Sequence, residues 1–312
     1  MKVFIDGQYG TTGLKLESRL SARADIELLQ VDFDKREIFE AKKPFLETAD
    51  VVFLCLPDDA ARESVAATPA DTLVIDASTA HRTAPGWAYG FPELSQQHRE
   101  SVAKSRRIAV NGCHAAGFIS LVYPLVSGGF MPASARLSCT SLTGYSGGGI
   151  MLIDAHEKNR APGDKYHSPR PYALTLSHKH LPEMKAVTGL DEPPIFYPVV
   201  GDMFAGMLVN VPIWTTQLAK KMSAKDIHAA LSAHYTGTHF VKIMPFDHEA
   251  ATDGGFMDAT ACNGTNRIEI FVFGNDEQII LTARLDNLGK GASGAAIQCM
   301  NIACGLDEGI GL

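Results

Sequence analysis

The sequence predicts a two-domain α/β chain: a parallel-sheet domain, then an α+β domain with a mostly antiparallel sheet. Three observations carry that expectation. The 312 residues exceed what most single cores accommodate. Short β-branched runs alternate with helical patterns up to about residue 112, the signature of βαβ units. Beyond about residue 135 the β-type runs lengthen, and turn residues separate most of them. The expected division is residues 1–112 with 289–312 as one domain and residues 113–288 as the other.

In chain order, "KVFID" (2–6) reads as a short buried strand, followed by "GQYGTTG" and a helical pattern from Leu14 to Leu20. "IELLQVD" (26–32) reads as a second strand. "ADVVFLCLP" (49–57) is a third, and its unbroken apolar character fits a strand covered on both faces. "DDAARESVAA" (58–67) reads as a helix with Asp58 or Asp59 near its cap. "TLVIDAS" (72–78) and "RIAVNG" (107–112) complete the first set of strands, and "HAAGFISLVYPL" after Cys113 has helical periodicity. In the second half, 135–147, 207–215, 239–244, 267–274 and 278–287 read as strands. "SAKDIHAALSAHY" (223–235) is a helix with Ser223 as its N-cap. The small residues of "GKGASGAAIQCMNIACGL" (289–306) predict a closely packed helix at a domain interface.

Composition excludes several classes. Hydrophobic residues make up 46% and charged residues 20%, an ordinary globular balance. A net charge of −7 gives no basic footprint for nucleic acid. No apolar run approaches the roughly 20 residues that span a bilayer. The first residues enter a strand pattern directly, so no signal peptide is expected. Six cysteines without paired spacing fit reduced thiols in the cytoplasm, and they form no zinc pattern.

Gly7, Gly10 and Gly13 give G-x-x-G-x-x-G between the first strand and the first helix. Glycines there permit a tight turn and close approach to a pyrophosphate, with helix N–H groups aimed at it. The pattern points to a Rossmann-type dinucleotide site, with Tyr9, Thr11 and Thr12 inside the loop. Asp32, about 20 residues further on, suits the ribose of NAD. Lys35 and Arg36 follow at once and suit the extra phosphate of NADP, so the local sequence leaves both cofactors open.

Cys113 lies between a strand and a helix. A thiol at a helix N-terminus feels the positive end of the dipole and ionises more readily, whereas the plainer reading is a packed core residue. A nucleophilic thiol needs an acid/base partner, and "LSHKHLPEM" (176–184) supplies His178 and His180, with Glu183 behind. At i and i+2 the two histidines share a face of an extended strand. With no third ligand at recognisable spacing, no metal is expected. Arg82, after a strand end in "DASTAHR" (76–82), is placed where parallel sheets bind ligands.

Together these stretches resemble the N-acetyl-gamma-glutamyl-phosphate reductase family, the arginine-biosynthesis branch of the semialdehyde dehydrogenase superfamily. "GQYGTTG" resembles its cofactor loop and "DASTAHR" its Asp-x-Ser-Ala-Asp-Phe-Arg stretch. "NGCHAAG" resembles the Pro-Gly-Cys-Tyr-x-Thr nucleophile motif, with Asn111 in place of the proline. "SHKHLPEM" resembles His-Arg-His-x-Pro-Glu, and "DNLGKGASGAAIQCMN" (286–301) is very close to the C-terminal signature. The length and the "NGCHAAG" variant suit the shorter of two family types.

The resemblance implies a glyceraldehyde-3-phosphate-dehydrogenase-like architecture and an NADPH-dependent reduction of an acyl phosphate, N-acetyl-glutamyl 5-phosphate, through a Cys113 thioester. It implies His178 or His180 as the proton carrier. It adds Ser78 and Asn287 to the cofactor residues, which include Lys35 and Arg36, and Arg82, Glu183 and Tyr145 as substrate residues. Glu183, three residues past His180, slightly favours His180 as the acid/base. Association into a homo-oligomer, a dimer or tetramer, is expected. The rivals are an aspartate-semialdehyde dehydrogenase, disfavoured by the paired histidines and the C-terminal signature, and a non-catalytic cofactor-binding regulator, disfavoured by the retained thiol and histidines.

Overall fold

Residues that alternate in sequence between two apolar faces fold here into a sheet buried on both sides. The computed structural model describes residues 1–159, 161 and 163–312. Its contacts divide the chain into two units: Met1–Gly112 with Ala292–Leu312, and Cys113–Gly291.

The first unit contains β1 (Lys2–Asp6), α1 (Thr11–Leu20), β2 (Glu27–Leu29), α2 (Phe39–Thr48), β3 (Val51–Leu54) and α3 (Asp58–Ala67). β4 (Leu73–Asp76), β5 (Ala88–Tyr89), α4 (Gln96–Lys104) and β6 (Arg107–Ala109) follow. The strands form a six-stranded sheet in the order β2-β1-β3-β4-β6-β5, parallel throughout. Val3, Ile5, Val51, Phe53, Leu73 and Ile75 point to one face, where Leu16 and Leu20 of α1 cover them. Phe4, Val52, Leu54 and Val74 point to the other, against Leu46 of α2 and Ala61 of α3. This is the two-residue period of a strand read out twice.

The C-terminal helix, Gly294–Ala303, follows a π-turn over Gly289–Ser293. Expected as an interface helix, it packs Ala295, Ala296, Ile297, Met300 and Ile302 into the first face's core. Its small residues serve burial within this unit.

The second strand is shorter than expected. It ends at Leu29, and Asp32 leaves the extended run to precede a 3-10 turn over Phe33–Lys35. α2 and α4 were not anticipated. α2 carries Pro44 in its interior, and α4 buries only Val102, so neither shows an apolar stripe in sequence.

The second unit opens with α5 (Cys113–Ser127), then β7 (Ser138–Gly144), α6 (Gly149–Lys158), β8 (Arg170–Pro171), α7 (Leu181–Thr188) and β9 (Ile195–Gly201). β10 (Met207–Trp214), α8 (Ala224–His234), β11 (Val241–Ile243), β12 (Ile268–Gly274) and β13 (Gln278–Leu285) complete it. The seven-stranded sheet runs β11-β12-β13-β10-β7-β9-β8. Four pairings are antiparallel, while β7–β9 and β11–β12 are parallel. The long antiparallel partners β10 and β13 hold register from Met207↔Leu285 to Trp214↔Gln278. Ser223 caps α8 in a reciprocal box with Asp226.

α5 is apolar almost all round because it is buried against the sheet on one side and α7 and α8 on the other. The opposite sheet face is open. Ile195, Tyr197, Trp214 and Ile280 are exposed on it, Trp214 by 55%, and Ile195, Trp214 and Ile280 line a groove of about 610 Å³. Among the described residues no helix is long and apolar enough to cross a membrane.

Candidate active site

The thiol of Cys113 stands at the first residue of α5, four positions beyond the end of β6. It is half-buried and forms no disulfide. Gly291, from the C-terminal signature, lies so close that a Cβ there would sit 2.7 Å from the Cβ of Cys113. The signature glycine thus packs against the thiol-bearing residue. The first turn of α5 offers main-chain N–H groups that no intrahelical carbonyl uses. The other cysteines sit in different surroundings. Burial pushes Cys55 and Cys139 far up, Cys262 to about 11 and Cys304 upward.

His178 and His180 do converge, but not on a strand. The turn closes with Leu181 N donating to His178 O at 3.0 Å, and His180 has helical dihedrals (φ −88°, ψ −12°) at the N-cap of α7. Pro182, in the first turn, favours the helix start there over a continued strand. The rings meet edge to face, 4.8 Å between centroids. The main-chain N–H of His180 donates to Nδ1 of His178 at 3.2 Å, so the neutral His178 ring carries its proton on Nε2. Phe196 of β9 packs against His178 at 5.0 Å. Glu183 is buried in the first turn of α7.

A third imidazole escaped the sequence reading. His114, next to the thiol, has its ring 5.6 Å from His178 and 5.4 Å from His180. Its Nδ1 bonds Ser141 Oγ at 2.7 Å and its Nε2 bonds the Tyr172 hydroxyl at 2.9 Å. Burial, then the charges of His178 and Lys179, push it down to about 3, so it is neutral. Burial, then the charge on Cys113, push the Tyr172 hydroxyl upward. The available signal was a lone histidine inside an otherwise apolar helix.

The other expected substrate residues, Arg82 and Tyr145, and the cofactor residues Ser78 and Asn287 each engage their own neighbours. Arg82 donates from Nε to Val110 O at 2.9 Å and from Nη2 to Ala77 O at 3.1 Å, binding two strand ends together. Tyr145 is buried, its hydroxyl donates to Glu157, and its ring stacks on His156 at 4.4 Å. Ser78 Oγ donates to the buried Asp76 carboxylate at 2.7 Å, and His81 Nδ1 lies 2.6 Å from the same oxygen. Asn287 lies in the second unit, where Oδ1 accepts from Gly206 N at 2.9 Å and Nδ2 donates to Ser146 Oγ at 3.0 Å.

In the first unit, a crevice of about 210 Å³ at the carboxyl end of β1 is lined by Gly7, Tyr9, Gly10, Arg36 and Glu37, among others. Gly7 has φ +85°, and a Cβ on it would lie 2.3 Å from Cys55 O. A Cβ on Gly13 would lie 2.3 Å from Gly7 O. Only glycine fits either place, which leaves main chain at the crevice mouth and the N-terminus of α1, with Thr11 and Thr12 in its first turn, above it. This cradle suits a dinucleotide phosphate. Arg36 lies over the Phe33 ring at 3.9 Å and the Tyr9 ring at 5.8 Å. Asp32 and Lys35 are paired with one another at 3.0 Å and neither lines the crevice. Among the described residues no group of three or more His, Cys, Asp or Glu could hold a metal.

Two family models match the chain. One, described as the NAD binding domain of semialdehyde dehydrogenase, covers residues 12–102, and the other, its dimerisation domain, covers residues 113–287. The chain is 46% identical to N-acetyl-gamma-glutamyl-phosphate reductase 2 of Nostoc sp., over 100% of this chain and 99% of that one. It is 44% identical to N-acetyl-gamma-glutamyl-phosphate reductase of Chelativorans sp., covering 96% and 97%. In fold it is similar to aspartate semialdehyde dehydrogenase II from Vibrio cholerae, with a TM-score of 0.71, 14% identity, and 97% and 98% of the two chains covered. Aspartate semialdehyde dehydrogenase from Francisella tularensis gives a TM-score of 0.70 at 14% identity, covering 97% and 99% of the two chains.

Proposed function

The chain belongs to the N-acetyl-gamma-glutamyl-phosphate reductase family, and from that premise we propose that it reduces N-acetyl-glutamyl 5-phosphate to N-acetyl-glutamate 5-semialdehyde, releasing phosphate, in arginine biosynthesis. One observation carries this reading: a thiol at a helix N-terminus beside a three-imidazole cluster in the same unit.

The thiolate of Cys113 attacks the acyl carbon, the C–O bond to phosphate breaks, and a thioester remains. The crevice lined by Gly7, Tyr9, Gly10 and Arg36 would hold the nicotinamide cofactor, NADPH, which when bound would supply hydride to that thioester. N–H groups at the start of α5 hold the developing oxyanion. His180 gives it a proton and takes that proton back as the C–S bond breaks, freeing the aldehyde and the thiolate. His178, with Nδ1 occupied by the main chain of His180, donates from Nε2 toward the substrate. Glu183 orients His180 and borders the substrate. Arg82 acts by holding Val110, three residues before the thiol, and Tyr145 by ordering the loop that Asn287 also ties.

NADPH is proposed over NADH because Arg36, braced on two rings, borders the crevice, whereas Asp32 is paired with Lys35. We further propose a cytoplasmic homo-oligomer. The six free thiols suit a reducing compartment, and the open apolar sheet face belongs to the stretch that matches a dimerisation-domain model.

The test is the reverse reaction. N-acetyl-glutamate 5-semialdehyde, phosphate and NADP⁺ should yield NADPH absorbance, and aspartate semialdehyde should yield far less. Silence with the first aldehyde, or preference for the second, refutes the assignment.

A further inference from the structure

We propose that Arg170 anchors the substrate's α-carboxylate and so selects the N-acetyl-glutamyl chain; this rests on the substrate proposed above. β8 runs antiparallel to β9 with Arg170 directly opposite Val200. Directly paired residues share a sheet face. Val200 lies on the buried face of β9 with Phe196 and Pro198, while Ile195 and Tyr197 face outward. Arg170 is therefore on the face where Phe196 packs against His114 and His178. Tyr172, two residues on, donates its N–H to Pro198 O at 3.1 Å and bonds His114 Nε2 through its hydroxyl.

The charge on Arg170 is braced but not neutralised. Its Nη2 donates to His156 Nε2 at 2.9 Å, and its guanidinium lies 4.2 Å over the Tyr166 ring. Accepting at Nε2 leaves the neutral His156 ring with its proton on Nδ1, 3.9 Å from Asp202. Nε of Arg170 is buried without a hydrogen-bond partner, and no carboxylate among the described residues forms an ion pair with it. Two other partly buried arginines are instead paired with carboxylates, Arg284 with Glu269 at 2.6 Å and Arg23 with Asp25 at 2.6 Å. A half-buried cation held in place by neutral groups is a site for an incoming anion, and a guanidinium fork matches a carboxylate.

The reach agrees. Two residues along a strand span about 7 Å, which separates Arg170 from Tyr172 beside the thiol cluster. In an extended N-acetyl-glutamyl chain four carbon–carbon bonds, about 5 Å, separate the acyl carbon from the α-carboxylate carbon. Arg82 is a poorer candidate, because Nε and Nη2 are engaged by main-chain carbonyls.

The experiment compares two aldehydes in the reverse reaction with phosphate and NADP⁺. One is N-acetyl-glutamate 5-semialdehyde. The other is 4-acetamidobutanal, identical except that hydrogen replaces the α-carboxylate. Wild type should favour the acid. Arg170→Ala should lower kcat/KM for the acid about a hundredfold, chiefly through KM, and leave 4-acetamidobutanal within about twofold. Arg170→Lys, which keeps charge without the fork, should lose less, again for the acid alone, and it decides the matter if the alanine variant fails to fold. Equal losses for both aldehydes, or no loss for the acid, overturn the anchor. Wild type silent toward the acid refutes the proposed reaction itself, and the anchor with it.

Discussion

Lys42→Met tests what holds the glycine loop in shape. Asp6 ends β1 directly before Gly7, and it is 1% exposed. Lys42 Nζ reaches its two carboxylate oxygens at 3.1 and 3.3 Å, and Ser64 Oγ donates to it at 2.7 Å. Methionine fills most of the lysine's volume but leaves the carboxylate with a single neutral side-chain donor. Removing one partner of a buried ion pair costs about 3–5 kcal/mol. At roughly 3–5 °C per kcal/mol for a unit of this size, the first unit should melt about 10–20 °C earlier. Asp6→Asn combined with Lys42→Met removes the stranded charge and should recover more than half of the loss. Trp87, stacked on His81 at 4.1 Å, reports on this unit, and the chain's other tryptophan, Trp214, is exposed and replaceable by Phe. Urea and thermal unfolding followed by Trp87 fluorescence in a Trp214→Phe background gives the three stabilities. A single variant costing under about 1 kcal/mol, or a double variant as unstable as the single, refutes the reasoning.

Four further outcomes are expected. Cys113→Ser should abolish turnover while cofactor binding, measured by fluorescence titration, stays near normal; activity above a few per cent of wild type would end the thioester route. Arg36→Ala should weaken NADPH and leave NADH nearly unchanged, so comparable kcat/KM losses for the two would remove Arg36 as the reader of the extra phosphate. His180→Asn should lower kcat and flatten the pH–rate profile, whereas His178→Asn should mainly raise KM; the reverse pattern would exchange their roles. His114 stays neutral down to about 3 in the folded chain, while an unfolded histidine takes up a proton near 6.5. The unfolded state therefore gains protons first as pH falls. Stability from this residue is intact above about pH 6.5 and declines below it, by ~2 kcal/mol at pH 5. His114→Gln should flatten that part of the Tm–pH curve, and an unchanged slope would show that His114 does not cause it.

The sequence made the first unit's centre legible because buried parallel strands are apolar on both faces. β1, β3 and β4 stand out as unbroken runs, and the glycine spacing after β1 marks the crevice. Cys113 was readable because a strand end and a helix start flank it. The convergence of the His178 and His180 rings was legible for a partly wrong reason. Their i, i+2 spacing suggested a strand, but a turn and a helix N-cap bring the rings together. Arg170 and His114 were invisible because their meaning depends on long-range pairing: Arg170 acquires its face from Val200, thirty residues on, and His114 its bonds from Ser141 and Tyr172. α4 hid for a local reason, since a helix that buries one side chain shows no periodic stripe.

The first unit closes its sheet with a segment made after the whole second unit. Ala295, Ile297 and Met300 pack on the strands that hold Val3, Ile5 and Phe53, yet more than two hundred residues intervene. During synthesis the second unit, Cys113–Gly291, is continuous and can condense as soon as it emerges. The first cannot. Its earliest strands must wait with one apolar face only partly covered, by Leu16, Leu20 and Val102, until residues 295–302 arrive. The sheet that carries the β1 cradle is thus completed only after the second unit has been translated, and chains released before residues 295–302 present an unfinished sheet to chaperones and proteases.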